Sequence, residues 1–195
     1  MLNRKSSLLA TLALFSCSFT LQAAWLLDDA ASSLYYVTSK ASAVSEVNTF
    51  SALSGAISDQ GEASLSITLT SVDTGVEIRN QRMQEFVFEV AQYPSASVTV
   101  TVDSAALANM PAGTARLGTY PASINLHGNS QTLDVDLLIS KLNANTIHVT
   151  TAKPLLLGAA LFGLAEGVEK LRELAGLPAI NPNVVVNFTL VYNKQ

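Results

Sequence analysis

The sequence predicts an all-β fold, an antiparallel barrel of about eight strands with one amphipathic helix inserted before the last strand. Three observations support this prediction. Aliphatic residues recur at every second position in several segments, turn residues separate most of these segments, and only 13% of the residues are charged. A period of two puts one row of side chains on each face of a strand. Short connections favour antiparallel neighbours, and closure into a barrel removes exposed strand edges.

Alternation locates the strands along the chain. The clearest case is residues 62–70, where Leu65, Ile67 and Leu69 share one parity and serine or threonine takes most of the other. Residues 127–130, His-Gly-Asn-Ser, separate two such segments and are typical of a hairpin loop. The same period recurs along the chain. Candidate strands occupy residues 25–37, 44–58 (a weaker pair), 62–70, 98–102, 120–126, 133–137, 147–149 and 183–192.

One segment, residues 154–177, predicts a helix. Pro154 suits a first turn, and Gly176 followed by Pro178 is a typical stop. Apolar residues recur in it at spacings of three and four, which gives a continuous stripe. The stripe consists of Leu157, Leu161, Leu164, Val168, Leu171 and Ala175.

The role of this helix stays open between two hypotheses. In the first, the helix plugs the barrel or packs on its wall. In the second, it is a lid that gates ligand entry and brings Leu155, Leu156 and Phe162 against a ligand or a membrane surface. Residues 155–165 are apolar nearly all round, but they are too few to span a bilayer.

The first 23 residues predict a secretory signal that is cleaved after Ala23. Arg4 and Lys5 form a basic start, and an apolar stretch follows. Cys17 supports an alternative, a lipoprotein site at which acyl groups would tether the chain. Because Cys17 is the single cysteine, no disulfide can form after cleavage. We therefore predict a periplasmic protein with one domain over residues 24–195.

The charge of the chain argues against nucleic acid as a partner. The formal net charge is −4, and it becomes −6 when Arg4 and Lys5 are removed with the signal. No basic run occurs in the sequence. Affinity for a phosphate backbone is largely electrostatic, so an acidic chain of this kind is a poor candidate.

Few residues suit catalysis, and we predict no enzymatic activity. His127 lies in a turn, and His148 has the parity opposite to Ile147, so it should face outward. Two isolated histidines make a poor metal site, and we expect neither a metal nor a cofactor. Asp134 and Asp136 are two residues apart on one strand face. We assign them to the solvated outer face, not to an acid–base pair.

The stretch from Asp73 to Val102 carries a family resemblance. Its motifs, in order, are Thr74-Gly75, Arg79-Asn80, Val87-Phe88-Glu89-Val90 and Tyr93-Pro94. In these motifs the chain resembles the YceI-like family of secreted, lipocalin-like lipid-binding barrels. Asn80 stands where the family usually has Asp, and residues 154–177 replace a short segment of the family. The likeness covers residues 25–150 well and the last strand loosely.

The resemblance implies that the barrel holds an isoprenoid-like chain. Periodicity alone is also compatible with a core that its own side chains fill. The interior and mouth residues that we assign to lipid binding are Phe50, Leu65, Ile67, Leu69, Phe86, Phe88, Tyr93, Val98, Val100, Ile124, Leu126, Leu133, Val135, Ile147, Phe162, Val186 and Phe188. Arg79, Asn80 and Arg82 are candidates for holding a polar head group; otherwise the two arginines belong to a solvated turn or a structural ion pair.

Three functions remain open at this point. The first is a non-enzymatic carrier or sequestering protein for an isoprenoid or other long-chain lipid. The second is a structural or interaction module with a filled core that acts through residues 154–177. The third, an accessory to quinone-linked redox chemistry, is suggested only by the family's quinone-like ligands. A transient membrane contact is compatible with the apolar helix, and either a monomer or a dimer fits the sequence.

Overall fold

Strands dominate the structure, a computed structural model that describes residues 23–41 and 44–195. The predicted signal up to residue 22, with Cys17, lies outside these residues. All pairings between the strands are antiparallel. In chain order the strands are β1 (Ala23–Leu27), β2 (Ser33–Lys40), β3 (Val44–Phe50), β4 (Leu53–Ser58), β5 (Glu62–Thr68), β6 (Val72–Asp73), β7 (Ser95–Thr101), β8 (Thr114–Leu126), β9 (Asn129–Asn143), β10 (Thr146–Thr151), β11 (Leu155–Gly158) and β12 (Asn183–Lys194).

Eight of these strands close a barrel. Their order round the ring is β1-β4-β5-β7-β8-β9-β10-β12, and β12 pairs with β1 to complete it. This ring confirms the predicted antiparallel barrel. The other strands extend one end of it: β2, β3 and β6 continue from one edge of β12, and β11 pairs with the other edge.

Strand β12 serves as a long seam. Residues 192–194 pair with β1, whereas residues 185–189 pair with β2. The chain therefore leaves the sheet between β1 and β2, and the predicted strand 25–37 is interrupted there. Side chains hold the break against β12, because Asn193 Nδ2 donates to Asp28 Oδ2 at 3.1 Å and the Val191 N–H donates to Ser32 Oγ at 3.0 Å.

Short helical segments connect the strands. They are a 3₁₀ turn (Leu69–Ser71), α1 (Glu77–Arg82) with the π-helix (Met83–Val87) that follows it, α2 (Ser104–Ala108), a second 3₁₀ turn (Ala159–Phe162) and α3 (Ala165–Leu174). Neither α1 nor α2 was predicted from the sequence. Asp103 marks the start of α2, since its Oδ1 accepts the Ala106 N–H at 2.9 Å, as an N-cap residue does. The strand predicted at 62–70 ends at Thr68.

The predicted helix over residues 154–177 is wrong in its first half. Leu155–Gly158 is strand β11, and Ala159–Phe162 is a 3₁₀ turn. Gly163, at φ 71°, separates that turn from α3, which spans only Ala165–Leu174. A short apolar run fits a strand as well as a helix, and here the edge of β12 supplies the backbone partners that a strand needs.

The register of the strands puts the helices at two ends of the barrel. The tip of the β8–β9 hairpin, the tip of the β2–β3 hairpin, α1, the π-helix and α3 lie at one end, which we call the upper end. The β4–β5 turn, the β9–β10 turn and α2 lie at the lower end. Within the described residues, none of the helices has the length and apolar character needed to cross a membrane.

Candidate functional site: an apolar cavity in the barrel

The barrel encloses a cavity of about 570 Å³ with almost entirely aliphatic and aromatic walls. Alternate residues of the strands face it, as the period of two requires. Val98 and Val100 of β7 and Ile124 of β8 are examples. Val98 and Val100 are only partly buried although they point inward, because their side chains border the cavity. The inward face of the sheet is therefore a ligand-sized surface and not a filled core.

Three aromatic rings meet on one wall of the cavity. The ring centroids of Tyr36 and Phe50 are 5.6 Å apart, and those of Phe50 and Phe88 are 5.7 Å apart. The Tyr36 hydroxyl donates to Met83 Sδ at 3.7 Å. Burial raises the pKa of this hydroxyl, against a smaller lowering by the Arg79 cation. The phenol therefore stays neutral, and this wall presents rings and one uncharged hydroxyl.

The lower end of the barrel is closed by buried side chains. Trp25, Leu107 and Lys141 are all less than 8% exposed there. Lys141 Nζ donates to the carbonyl oxygens of Leu107 at 3.4 Å and Ala108 at 2.8 Å, and it lies 5.9 Å from the centroid of the Trp25 ring. The ammonium group thus satisfies the last carbonyls of α2, where a cation also complements the helix dipole.

The cavity opens at the upper end. The lining residues that are also exposed to solvent mark its mouth, and these are Val76, Ile78, Ala175, Asn181 and Pro182. They belong to two segments that face each other, α1 with its leading residue and the chain that follows α3. Backbone hydrogen bonds hold the second segment to β2, since the Asn181 N–H donates to the Ser39 carbonyl at 2.8 Å.

Helix α3 borders this mouth. Five of the six residues of the predicted apolar stripe line the cavity: Leu157, Leu164, Val168, Leu171 and Ala175. Of the residues predicted for a lid, Leu155 and Phe162 line the cavity, but Leu156 is 72% exposed on the outer face of β11. Leu161 is also exposed, which follows from its place in a 3₁₀ turn and not in a long helix.

Charged side chains gather at the mouth. Among the described residues, those that line the cavity are Lys40, Glu46, Arg79 and Arg82. Glu46 Oε2 accepts from Lys40 Nζ at 2.8 Å and from Arg79 Nη1 at 2.7 Å. These cations, with the Lys40 hydrogen bond foremost, hold the pKa of the Glu46 carboxyl below its usual value. Arg82 Nη1 donates to the Leu174 carbonyl at 3.4 Å, a long contact.

Most of the residues predicted to bind lipid come together in this structure. Fourteen of the seventeen line the cavity: Phe50, Leu65, Ile67, Leu69, Phe88, Val98, Val100, Ile124, Leu126, Val135, Ile147, Phe162, Val186 and Phe188. Their contact with a ligand stays a prediction. Arg79 and Arg82 lie at the mouth, where a polar head was expected. The remaining residues, Phe86, Tyr93, Leu133 and Asn80, do not line the cavity.

Three of these exceptions have packing or hydrogen-bonding reasons. Phe86 lies within the π-helix, where the geometry of the turn directs Val87 to the core instead. Leu133 packs against the core cluster without reaching the cavity. Asn80 Oδ1 accepts from the Thr74 N–H at 2.9 Å and from the Thr74 hydroxyl at 2.6 Å, so its amide fixes a turn and does not face the mouth.

Tyr93, the fourth exception, belongs to a polar cluster at the tip of the β8–β9 hairpin. Its ring centroid lies 4.4 Å from that of His127, and His127 Nε2 lies 3.0 Å from Glu89 Oε2. Positive φ angles at His127 (53°) and Gly128 (73°) are the geometry of a two-residue hairpin turn. The role of this cluster is to hold the hairpin tip against the loop that follows the π-helix.

Sequence reasoning missed several residues of the cavity wall. Leu34 and Tyr36 could have been found, because they share a parity opposite to Tyr35 within a predicted strand. Ile78 and Met83 gave no usable signal, since the short α1 and the π-helix do not follow one fixed period.

The side chains that were considered for catalysis or metal binding lie outside the cavity. His148 lies on β10 between Ile147 and Val149, which both line the cavity, and it therefore points outward. Asp136 accepts from Lys153 at 2.7 Å, and this hydrogen bond is the main reason that the pKa of its carboxyl is lowered. Over residues 23–41 and 44–195, no group of three or more His, Cys, Asp or Glu residues is placed to hold a metal ion.

Comparisons with known proteins give a family and a fold. The profile of a family described as YceI-like domain matches residues 25–192. Among solved structures, a polyisoprenoid binding domain from Saccharophagus degradans, implicated in plant cell wall breakdown, is 43% identical with a TM-score of 0.88 over 89% of this chain and 100% of that chain. BcnA of Burkholderia cenocepacia is 21% identical with a TM-score of 0.66, over 85% of this chain and 98% of that one. The YCEI protein of Campylobacter jejuni is 13% identical with a TM-score of 0.54, over 76% and 84% respectively. No curated protein matches the chain significantly.

Proposed function

The chain belongs to the YceI-like domain family, and from this premise we propose that it binds a polyisoprenoid or other long-chain lipid inside its barrel. It acts as a carrier or sequestering protein and not as an enzyme. The apolar cavity of about 570 Å³ carries this proposal. The structure that is 43% identical is described as a polyisoprenoid binding domain, which supports the same class of ligand.

The shape of the cavity favours a carrier over a module with a filled core. An eight-stranded barrel either fills with its own side chains or holds one slender ligand. Pockets for small organic ligands occupy roughly 300–1,000 Å³ and are mostly apolar with a few polar groups. The cavity has this size, and its charged residues gather at the mouth. A ligand with a long apolar tail and a small polar head matches that distribution.

The energetics require a long tail. Burial of one CH₂ group contributes about 0.8 kcal/mol, so a single five-carbon unit supplies at most a few kcal/mol. Association costs roughly 4–15 kcal/mol in lost freedom of motion before any net affinity remains. A ligand that is held mainly by apolar contacts must therefore carry several isoprene units or a comparable acyl chain.

The proposal includes a location and an entry route. The predicted signal and the lack of cysteine after Ala23 support a periplasmic protein in which the fold depends on packing alone. Helix α3 borders the mouth through Val168 and Leu171, which supports a role as the lid over the entering chain. Lipid would then pass between α3 and α1, where Ile78 is 53% exposed.

The test uses two neighbouring residues of β7. Val100 faces the cavity, and Thr99 faces solvent. In Val100→Trp an indole ring occupies the path of the tail, whereas Thr99→Trp places the same ring outside. We expect the wild type and Thr99→Trp to take up one molecule of a C20 or longer isoprenoid, and we expect Val100→Trp to bind it at least about tenfold more weakly. Native mass spectrometry and titration of the delipidated protein measure both quantities.

Two outcomes would contradict the proposal. The first is a wild-type protein that takes up no long-chain lipid under any condition in which it is folded. The second is equal uptake by Val100→Trp and Thr99→Trp, because a lipid that binds regardless of the lumen is bound elsewhere. Circular dichroism of each variant confirms that the barrel is intact before the titration is interpreted.

A further inference from the structure

The charge at the mouth has the opposite sign to the charge of the whole chain. The chain carries a formal net charge of −4. The charged residues that line the cavity are three cations, Lys40, Arg79 and Arg82, and one carboxylate, Glu46. An acidic protein therefore presents a local excess of positive charge at the entrance of its apolar cavity. Such an arrangement raises the local concentration of anions.

Glu46 already forms ion pairs with two of these cations. Its Oε2 atom accepts from Lys40 at 2.8 Å and from Arg79 at 2.7 Å. One carboxylate balances one positive charge, so this trio keeps a net charge of +1. Glu46 cannot also neutralise Arg82, and none of the ion pairs found among the described residues includes Arg82.

The guanidinium group of Arg82 therefore has few partners among the described residues of the protein. It lies three residues after Arg79 in α1, so the two side chains share a face of the helix. Its one hydrogen bond among the described residues goes to the Leu174 carbonyl at 3.4 Å, a long distance for an N–H···O bond. That contact also complements the carboxyl end of α3, which is the structural role that competes with ligand binding.

Given the proposed function, we propose that the mouth selects lipids with an anionic head, a carboxylate or a phosphate ester, and that Arg82 sets this preference. The tail occupies the lumen, which brings the head to the level of α1. A guanidinium fork matches the oxygen geometry of both carboxylates and phosphates, and hydrogen bonds between charged partners are shorter and stronger than neutral ones. A neutral alcohol of the same chain length gains only an ordinary hydrogen bond there.

The experiment compares ligands that differ only in the head. Geranylgeranyl monophosphate is paired with geranylgeraniol, and palmitate is paired with hexadecanol, each titrated into the delipidated full chain. We expect each anion to bind about tenfold or more tightly than its neutral partner, with the ratio decreasing as salt increases. A preference in the phosphate pair alone identifies a phosphate head, and one in the palmitate pair alone identifies a carboxylate; either result supports the proposal.

Variants of the arginines assign the preference. Arg82→Gln should reduce the ratio of affinities to less than about threefold, and Arg82→Lys should retain most of it because the charge remains. Arg116→Gln is the matched control, since Arg116 is exposed on β8 and does not line the cavity; its ratio should equal that of the wild type. Equal binding of the paired ligands by the wild type, or an undiminished ratio in Arg82→Gln, overturns this inference while the carrier function stands. Binding of neither member of any pair overturns both.

Discussion

Gly167 of α3 lies directly against the carbonyl oxygen of Phe86 in the π-helix. A Cβ atom at position 167 would lie 2.7 Å from the Cα atom of Val87, a distance that real Cβ contacts do not reach. Helix α3 and the π-helix therefore touch backbone to backbone. Two helices of a small protein approach this closely only where one of them lacks a side chain.

Substitution of Gly167 by alanine should destabilise the protein, although a change from glycine to alanine inside a helix ordinarily stabilises it. In an ordinary helix interior, alanine is about 1 kcal/mol more favourable than glycine. Here the added methyl group must push α3 away from the π-helix, and overpacking of this kind costs about 1–3 kcal/mol. Chemical denaturation measures the difference, with the exposed Lys170→Ala on the same helix as control. If Gly167→Ala is more stable than the wild type, the close contact does not exist in solution.

The same substitution tests the proposed role of α3 as a lid. If the added methyl group displaces α3, Gly167→Ala should change the rate of lipid uptake, and an unchanged rate would count against α3 as the lid.

Phe162 should be one of the most costly side chains to remove. It is 1% exposed and lines the cavity beside the tip of the β8–β9 hairpin. Truncation of a buried phenylalanine to alanine costs about 3–5 kcal/mol, because contacts are lost and a void remains. Its neighbour Leu161 is 44% exposed, so Leu161→Ala should cost less than about 1 kcal/mol. Equilibrium unfolding in urea compares the two, and similar losses would show that the 3₁₀ turn is placed differently.

The side chain of Asn129 ties the hairpin tip to the segment that carries Phe162. Its Nδ2 donates to the carbonyl oxygens of His127 at 2.9 Å and Phe162 at 3.1 Å. Asn129→Ala removes both hydrogen bonds and should lower the free energy of unfolding by about 1–3 kcal/mol. Asn109→Ala is the control, because Asn109 is an exposed asparagine just after α2, at the opposite end of the barrel. Amide hydrogen exchange should locate the loosened region at residues 159–163, and exchange that is faster only in the hairpin would contradict the proposed link.

The trio at the mouth should make stability depend on pH in the acid range. Lys40 and Arg79 hold the pKa of Glu46 below its ordinary value of 4.5 in the folded state. A lowered pKa means that the ion pairs stabilise the fold above pH 4.5 and lose this contribution as the pH falls through the folded-state pKa. Between pH 6 and pH 3, the Tm of Glu46→Gln should therefore fall less than that of the wild type. Asp59→Asn, at an exposed turn residue, should follow the wild type, and parallel curves for the wild type and Glu46→Gln would exclude the effect.

The strands were predictable because one face of each strand is buried. Leu65, Ile67, Val98 and Val100 alternate with polar residues, and the structure pairs Leu65 with Val98 in neighbouring strands. The same alternation brought most of the predicted lipid-binding residues to one cavity. Parity cannot show whether the enclosed space is open or filled, because that depends on the sum of side-chain volumes across the ring.

Helix α3 lies within the predicted helix of residues 154–177, but strand β11 and the segment from α1 to the π-helix were not predictable, for two physical reasons. Leu155–Gly158 is apolar in every direction, so helix and strand were equally compatible with its sequence until the edge of β12 supplied hydrogen-bonding partners. The segment that follows Val76 is polar and short, and its π-helical turn breaks the period on which a helix prediction depends. One side of the cavity mouth is built from the segment that follows Val76, so its geometry could not be predicted from periodicity.

The seam along β12 has a consequence for biosynthesis. The twelve residues from Asn183 to Lys194 pair with β1, β2, β10 and β11, so the ring joins the first and the last of the strands in the described part of the chain. A growing polypeptide that still lacks this segment has an open gap between β1 and β10 and no enclosed lumen. The cavity therefore exists only after the last strand has joined the ring, and a truncation that removes this strand also removes the lining residues Val184, Val186, Phe188, Leu190 and Tyr192.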